Sequence, residues 1–274
     1  MQITVLVENA TSGDRFEARH GLSLWIETDQ HKILFDMGPD GSFIDNARAL
    51  GIDVAEADVA FCSHGHFDHG GGLPAYLALG GEAPVYIHER AFDPHEAHTP
   101  TGATKDIGID PALADHPRVH LVGDHLRIDD QLELFADVAA CELVPRSNCT
   151  LYAGTGADAA PDDFCHEQTL LIKEGDATTL VTGCSHKGVV NIVRRAEEYV
   201  GGPLHAVVAG FHLMNPGTGS LEDLATVEAV AEFLAARPTL YRTFHCTGLA
   251  AYGILRDVLG PRVDYLYTGS SMEL

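Results

Sequence analysis

The segment Ser63-His64-Gly65-His66-Phe67-Asp68-His69 constrains the fold of this 274-residue chain more than any other feature. It follows an apolar run at 58–62 that predicts a buried strand, and three glycines come directly after it. Three imidazoles and one carboxylate within six residues suit a divalent cation such as zinc or iron. Because glycine has no side chain, the backbone can pass close to such a site. The sequence therefore predicts a metal-binding loop at the end of a strand.

The loop offers four potential ligands. This is more than one catalytic ion can take from so short a segment while it keeps a coordination position open for substrate. Two divalent ions about 3.5–4 Å apart would use all of them. Imidazole and carboxylate donors suit zinc first, with manganese or iron as alternatives. We therefore expect two divalent metal ions, with His64, His66, Asp68 and His69 as ligands, and we expect Asp68 also to orient the nucleophile.

Three later histidines each follow a run that predicts a strand, which places their side chains near the edge of a sheet. His186 lies between such a run and a predicted helix, and we expect it to bind metal. His245 precedes Gly248, which lets the chain turn close to the same edge. His212 is consistent with a metal ligand, an acid or base facing the substrate, or a structural residue, and it is our candidate proton donor to a leaving group.

The order of the predicted elements indicates one α+β domain over residues 1–274. Strands dominate the first half, whereas strand-then-helix units fill the second. Two sheets packed face to face, with helices on their outer surfaces, would satisfy this order, which is a four-layer αββα sandwich. The patterns predict strands at 3–7, 22–28, 32–36, 58–62, 84–88, 119–122, 126–128, 131–135, 169–173, 179–182 and 206–209, a further strand that ends at 243–244, and helices at 43–50, 73–79, 189–200, 221–236 and 249–259.

Three stretches of the sequence predict local structural features. Residues 89–118 contain four prolines and predict an irregular loop of the kind that covers a binding site, with Arg90 and Lys105 as candidates to bind an anion. The strands within 119–135 predict a β-meander, and the histidines between 88 and 125 are expected at the surface or in packing. The helix at 221–236 is expected to begin at a capping box formed by Ser220 and Asp223.

Acidic residues outnumber basic ones by 40 to 17, which gives a formal net charge of −23. Such a surface repels polyphosphate, so we expect no nucleic acid as a partner. No apolar run reaches the ~18 residues of a membrane span, and the first residues lack a signal-peptide pattern, so no membrane partner is expected. The six cysteines form no C-x-x-C pair, which favours reduced thiols and a cytoplasmic location. Oligomer formation stays open.

The same charge balance, with lysine at only four positions, predicts a protein adapted to high salt. Self-repulsion weakens as the Debye length falls from ~10 Å at 0.1 M salt to ~3 Å at 1 M. We expect the melting temperature and the activity to rise with KCl over this interval, which thermal unfolding and rate measurements at stepped KCl concentrations would check. A flat or falling melting temperature would contradict the halophilic interpretation in favour of an ordinary acidic enzyme.

The H-x-H-x-D-H segment after a strand, together with the order of elements, resembles the metallo-β-lactamase fold superfamily over the whole chain. The resemblance implies that His64 and His66 hold the first metal and that Asp68 and His69 hold the second. It also implies that His245 is the last histidine ligand and that Asp36, in Leu34-Phe35-Asp36-Met37-Gly38, supports the metal-binding loop.

Two positions depart from the patterns of that superfamily. The strand before Gly183 usually continues with an aspartate that bridges the metals, and here Cys184 takes its place. Cys184 is either a thiolate ligand or a small packed side chain; we favour the second, with His186 compensating for the missing carboxylate. His166 lies roughly where the middle histidine ligand of the superfamily would fall, and its role as a ligand is left open.

Later segments resemble one subgroup of the superfamily, the dihydropterin-ribofuranosylaminobenzene-5′-phosphate synthase-like proteins, also described as dihydropteroate-synthase-like. The segments are Glu167-Gln168, Thr182-Gly183-Cys184-Ser185-His186-Lys187-Gly188, Gly210-Phe211-His212-Leu213 and His245-Cys246-Thr247-Gly248. The subgroup usually has Asp-Glu-Gln where this chain has His166-Glu167-Gln168. The resemblance implies pterin chemistry.

These observations together predict a metal-dependent hydrolase or transferase that directs a metal-activated water at a small anionic substrate, with a pterin phosphate or a phosphodiester as candidates. Two alternatives stay open. Iron in the same ligand set would support redox chemistry, and a degenerate site would make a non-catalytic sensor that binds a pterin or a nucleotide.

Overall fold

The structure is a computed structural model that describes residues 1–99, 102–215 and 217–274. Within these ranges two seven-stranded sheets face each other, helices cover their outer surfaces, and a third sheet of four short strands lies beside them. This arrangement is the α+β sandwich that the sequence predicts. None of the described helices is long and apolar enough to cross a membrane.

The strands are β1 (Gln2–Val7), β2 (Ser23–Glu27), β3 (Lys32–Phe35), β4 (Val59–Cys62), β5 (Val85–His88), β6 (His95–His98), β7 (Thr104–Asp106), β8 (Val119–Val122), β9 (His125–Arg127), β10 (Leu132–Phe135), β11 (Leu151–Ala153), β12 (Ala160–Pro161), β13 (Thr169–Glu174), β14 (Ala177–Val181), β15 (Ala206–Ala209), β16 (Leu240–Thr243), β17 (Val263–Tyr265) and β18 (Ser271–Glu273). The first large sheet has the strand order β18-β1-β2-β3-β4-β5-β8 and the second has the order β17-β16-β15-β14-β13-β10-β9. The small sheet has the order β12-β11-β6-β7.

The described helices are α1 (Ser42–Leu50), α2 (Phe67–Gly70), α3 (Leu73–Ala78), α4 (Val189–Val200), α5 (Leu224–Ala235) and α6 (Leu249–Leu259). Five of them lie on the outer faces of the two large sheets and bury one apolar side each, whereas the short α2 belongs to the loop after β4. Phe43 and Tyr76 pack α1 and α3 against the first sheet. Val193, Val230 and Leu255 pack the other long helices against the second sheet.

The two sheets bury a continuous apolar layer between them. Phe35 and Phe61 from the first sheet and Leu134, Leu170 and Val208 from the second belong to one buried cluster. Adjacent strands β3, β4 and β5 run parallel, as do β14, β15, β16 and β17. Because parallel strands end at the same edge of a sheet, the loops that follow them meet at one end of the sandwich.

Three local predictions are wrong. Residues 89–118 are not one irregular loop, because β6 and β7 form within it and pair with each other and with β11. The predicted β-meander divides between sheets: β8 pairs with β5 in the first sheet, whereas β9 and β10 belong to the second. The N-cap of α5 is Asp223 itself, whose carboxylate accepts from the Thr226 amide. Helix α5 therefore begins later than the predicted capping box implies.

Candidate metal centre

The H-x-H-x-D-H loop after β4 is fixed from behind by the buried carboxylate of Asp36. Its oxygens accept hydrogen bonds from the Ser63 amide at 2.7 Å, the Ser63 hydroxyl at 2.8 Å and His69 Nδ1 at 2.6 Å. An imidazole that donates its Nδ1 proton keeps a lone pair on Nε2, the form that binds a metal. Asp36 therefore supports the loop and turns the Nε2 of His69 toward the centre.

Three more histidines of the centre donate the proton on Nδ1 to an oxygen acceptor, which leaves the lone pair of Nε2 available to a metal. The acceptors are Ser63 Oγ for His64 at 2.9 Å, Asn148 Oδ1 for His186 at 3.1 Å and Asn9 Oδ1 for His245 at 2.8 Å. Such outer contacts fix the ring orientation and the tautomer of metal-binding histidines. Asn9 and Asn148 were not predicted from the sequence, because they reach the centre from distant parts of the chain.

His64, His66 and His186 form a first group of donors. Their candidate ligand atoms lie within 4.8 Å of one another, and all three residues are buried. Within the described part of the chain, the Nε2 atoms of these three rings are buried without a hydrogen-bond partner. Burying three such acceptors is costly unless something else binds them, and a divalent cation would. The residues thus fit a first metal.

Asp68 and two histidines form a second group. Asp68 Oδ2 lies 3.3 Å from His245 Nε2 and 3.9 Å from His69 Nε2. His20 joins them unexpectedly, with its Nε2 also 3.3 Å from Asp68 Oδ2. No sequence motif marks His20, since it lies in the segment before β2, far from the loop in the chain. The centre therefore brings together all six predicted ligands as two adjacent groups.

Cys184 lies between the two groups. Its Sγ is 3.2 Å from His69 Nε2, and its sulfur forms a candidate donor set with His64 and His69. His186 instead completes the first group. Of the two residues, Cys184 is therefore the one that lies between the groups.

The electrostatics of the centre keep the three histidines of the first group neutral and Asp68 ionised. Burial and neighbouring imidazoles hold the pKa of His64, His66 and His186 well below the usual value. Burial also opposes charge on Asp68, but the nearby histidines outweigh it, so the pKa of this carboxyl is well below its ordinary range. Neutral imidazole and ionised carboxylate are the forms that coordinate metals.

His69 differs because two carboxylates flank it. Burial works against protonation, yet the charges of Asp36 and Asp68 raise the pKa of His69 to about 9. The negative charge that stabilises the imidazolium would equally stabilise a bound cation in its place. The electrostatic environment of the second group therefore favours a bound cation.

His212 lies beside the first group, and its ring centroid is 4.3 Å from that of His186. Both of its ring nitrogens are buried and lack a hydrogen-bond partner among the described residues. Its donor atom also groups with those of Cys184 and His186. This position is compatible with either a ligand or a proton donor, the two roles that the sequence left open.

Backbone strain is concentrated at this centre. Asp36, Ser185, His212 and His245 have φ values of 59°, 59°, 49° and 51°, in the left-handed region that favours glycine. Each such conformation costs on the order of 1–3 kcal/mol, and it persists where the surrounding structure enforces it. These conformations therefore lower the stability of the fold but orient the side chains of the centre.

A cavity of about 330 Å³ opens over both groups. The small sheet forms one wall through Ala97, Lys105 and Leu151, and the loop after β15 forms another through His212 and Asn215. Lys105 Nζ lies 4.5 Å above the ring of Phe67. Arg90, the other predicted anion-binding residue, pairs instead with Asp93.

His166 does not join the six predicted ligands at the centre. Its Nδ1 accepts the Gly65 amide proton at 3.0 Å, and its Nε2 donates to Asp162 at 3.2 Å. A ring whose two nitrogens are occupied in this way has no lone pair left for either metal group.

The fold and the donor groups define a metal-dependent enzyme class, and comparison with known proteins specifies the family. Residues 17–200 match the model of the metallo-beta-lactamase superfamily, which is more than half of the chain. The chain belongs to this superfamily. Membership supports metal-dependent hydrolysis as the general class of activity.

Three relatives illustrate the relationship. The crystal structure of Tm1679, a metal-dependent hydrolase of the beta-lactamase superfamily, matches with a TM-score of 0.83 at 26% identity, covering 100% of this chain and 99% of that one. The 7,8-dihydropterin-6-methyl-4-(β-D-ribofuranosyl)-aminobenzene-5′-phosphate synthase of Methanocaldococcus jannaschii is 25% identical, over 98% of this chain and 95% of its own length. The uncharacterized protein MJ0448 of the same organism is 27% identical over 91% of each chain.

Proposed function

We propose that this protein is a dinuclear metal-dependent hydrolase or transferase that acts on a small anionic substrate. The observation that carries the proposal is the pair of adjacent donor groups at the floor of one cavity. The first consists of His64, His66 and His186, and the second of Asp68, His69 and His245. Two divalent ions, with zinc as the first choice, would lower the pKa of a coordinated water and polarise the substrate oxygen.

The residues of the chain supply the rest of the chemistry. Asp68, held ionised among imidazoles, is placed to orient the attacking water through a hydrogen bond. His212 lines the same cavity as Asp68, and from there a ring nitrogen can donate a proton to the leaving group. The apolar walls of the cavity exclude water around the reacting atoms, which strengthens these electrostatic contacts.

Substrate charge would be recognised by Lys105. Among the described residues that line the cavity, it is the only lysine or arginine. Its position over Phe67 leaves the ammonium at the cavity mouth with an aromatic face beneath it. An anionic group on a flat, partly apolar molecule suits that pairing, and the dihydropterin phosphate named for the Methanocaldococcus jannaschii relative has this chemistry.

We expect Lys105→Ala to raise KM for an anionic substrate about tenfold, because about 1.4 kcal/mol of charge-assisted binding is lost. The value of kcat should change little, since Lys105 lies away from the metal groups. Steady-state kinetics on an anionic substrate and on its neutral ester would check this. Lys105→Arg keeps the positive charge and should therefore keep a KM close to that of the wild type. The matched control is Lys32→Ala, which removes an exposed lysine that pairs with Glu56. An equal loss on both substrates would contradict charge recognition.

The function itself is tested by a hydrolase screen with metal-reconstituted protein over phosphodiesters, lactones, thioesters and pterin phosphates. Turnover of at least one class, abolished by a chelator and restored by zinc or manganese, is the expected result. Iron in freshly purified protein together with redox turnover would favour the iron enzyme. Tight pterin binding without turnover by metal-loaded protein would favour the sensor.

A further inference from the structure

His20 lies against the second donor group, although it is distant in sequence from the motif that marks the centre. Its Nε2 is 3.3 Å from Asp68 Oδ2, the same distance as His245 Nε2, and its ring centroid is 4.9 Å from that of His245. The side chain of His20 is 43% exposed and lines the cavity over the centre. His20 therefore approaches Asp68 from the cavity side, whereas His69 and His245 approach it from the buried side.

The backbone that carries His20 is fixed to residues of the centre. The amide of Gly21 donates a hydrogen bond to Asn9 Oδ1 at 3.3 Å, and this oxygen also accepts from a histidine of the second group. The amide of Leu22 donates to the Asp68 carbonyl oxygen at 3.1 Å. Gly21 passes this oxygen so closely that a Cβ at Gly21 would lie only 2.3 Å from it. These contacts hold the segment before β2 in the position that brings the His20 ring to Asp68.

The Asp68 oxygen faces several ring nitrogens at once. Neutral His69 and His245 direct lone pairs toward it, because their Nδ1 protons are donated to oxygen acceptors on the far side of each ring. Lone pairs and a carboxylate oxygen repel one another unless a positive charge lies between them. The Nε2 atoms of His20, His69 and His245 lie 3.3, 3.9 and 3.3 Å from Asp68 Oδ2. Two atoms that share a zinc ion lie at most about 4.3 Å apart, so each nitrogen is within reach of an ion on this oxygen.

We propose that His20 is a fourth protein ligand of the second metal, together with Asp68, His69 and His245. The inference rests on the proposed function, because it assumes that the second donor group holds a metal. Four protein ligands complete a tetrahedral site, whereas a group of three leaves one position open. With His20 bound, the open coordination position of the centre therefore belongs to the first group.

A hydrogen bond from His20 to Asp68 is the alternative explanation of the 3.3 Å contact. In that arrangement His20 Nε2 carries a proton and only orients the carboxylate, as the outer contacts of metal ligands do. The two roles differ in what a replacement side chain must supply. A ligand needs a nitrogen lone pair, whereas the hydrogen bond needs only an N–H group at the same place.

The test compares His20→Ala with His20→Gln in the full-length protein, titrated with zinc against a chromophoric chelator. The carboxamide of glutamine can donate an N–H to Asp68, but its nitrogen has no lone pair for a metal. Both variants should bind one of the two zinc ions at least about a hundredfold more weakly than the wild type, the upper limit for a residue that only orients a ligand. The affinity for the other ion should be unchanged. Because His20 is partly exposed, neither variant removes a core side chain.

Arg19→Ala is the matched control in the same segment. The side chain of Arg19 is 45% exposed and pairs with Glu17 and Asp40, away from the donor groups. This variant should bind both zinc ions as tightly as the wild type. A weakened ion in Arg19→Ala as well would assign the effect to the segment and not to the imidazole, which would overturn the inference.

A direct measurement uses protein with nitrogen-15 in its histidines and cadmium-113 in place of zinc. Scalar coupling between cadmium and ring nitrogens should show three histidines on each ion in the wild type, and only two on one ion in His20→Gln. Wild-type zinc affinity in His20→Gln, or a wild-type cadmium ion coupled to only two histidines, would overturn the inference and leave the proposed function standing. A wild-type protein that binds fewer than two zinc ions would overturn both.

Discussion

Substitution of His66 by alanine is expected to remove most of one bound metal ion and to lower turnover by at least about a thousandfold. The wild-type protein should carry close to two divalent ions per chain, because its donor groups are two. His66 belongs to the first group, whose buried nitrogens have no other partner among the described residues. Elemental analysis of protein purified without chelators, together with rates on the best substrate of the screen, would measure both effects.

The matched control for this experiment is His205→Ala. His205 is an exposed histidine in the segment before β15, where its backbone forms hydrogen bonds with Thr178 and Leu240. It should retain two ions and wild-type turnover. Protein that holds no metal and is still active, or a His66→Ala variant that keeps both ions, would disprove the dinuclear interpretation.

The elements that carry the centre could be predicted from sequence because their signals are local. The apolar run before Ser63 and the alternation of strand and helix after residue 169 mark β4, β14, β15 and α4 to within two residues at each end. The ligands follow directly, because each lies in a loop that begins where β4, β14 or β16 ends. Local periodicity and motif spacing are enough for such features.

The small sheet could not be predicted, since its strands are two to four residues long and its pairings join distant segments. Leu151 of β11 lies opposite Ala97 of β6, and neither run shows a clear alternation of apolar and polar residues. The same limit applies to the side chains that orient the ligands. Asn148 contacts His186, and Asp162 contacts His95, only after the chain has folded. No spacing rule in the sequence connects either pair.

The supporting residues nevertheless follow a physical rule that could guide a search. Every buried imidazole that binds a metal through one nitrogen must place the proton of the other nitrogen on an acceptor. For His69, His186 and His245 the acceptors are the carboxylate of Asp36 and the amide oxygens of Asn148 and Asn9. Asparagine and aspartate near strand ends are therefore the residues to examine first.

The relative contributions of His186 and Cys184 give the second large expected effect. His186→Ala should lose the first ion, because the Nε2 of His186 completes the group with His64 and His66. Cys184→Ser should keep most of the metal, since the first group is intact and the second retains Asp68, His69 and His245. Metal analysis of both variants, prepared in parallel, would show the difference directly.

Cys184 is expected to affect the kind of metal more than its amount. Its sulfur lies 3.2 Å from His69 Nε2, between the groups, where a thiolate would bias the centre toward zinc or iron over manganese. Burial raises the pKa of this thiol, so it would lose its proton only to a bound cation. In cobalt-substituted protein, a thiolate-to-cobalt charge-transfer band that disappears in Cys184→Ser would establish the sulfur as a ligand, and a spectrum without that band would leave it as a packed side chain.

A Cys184→Ser variant that loses its metal while His186→Ala keeps it would reverse the two roles, because the bridging sulfur and not the third imidazole would then hold the centre together.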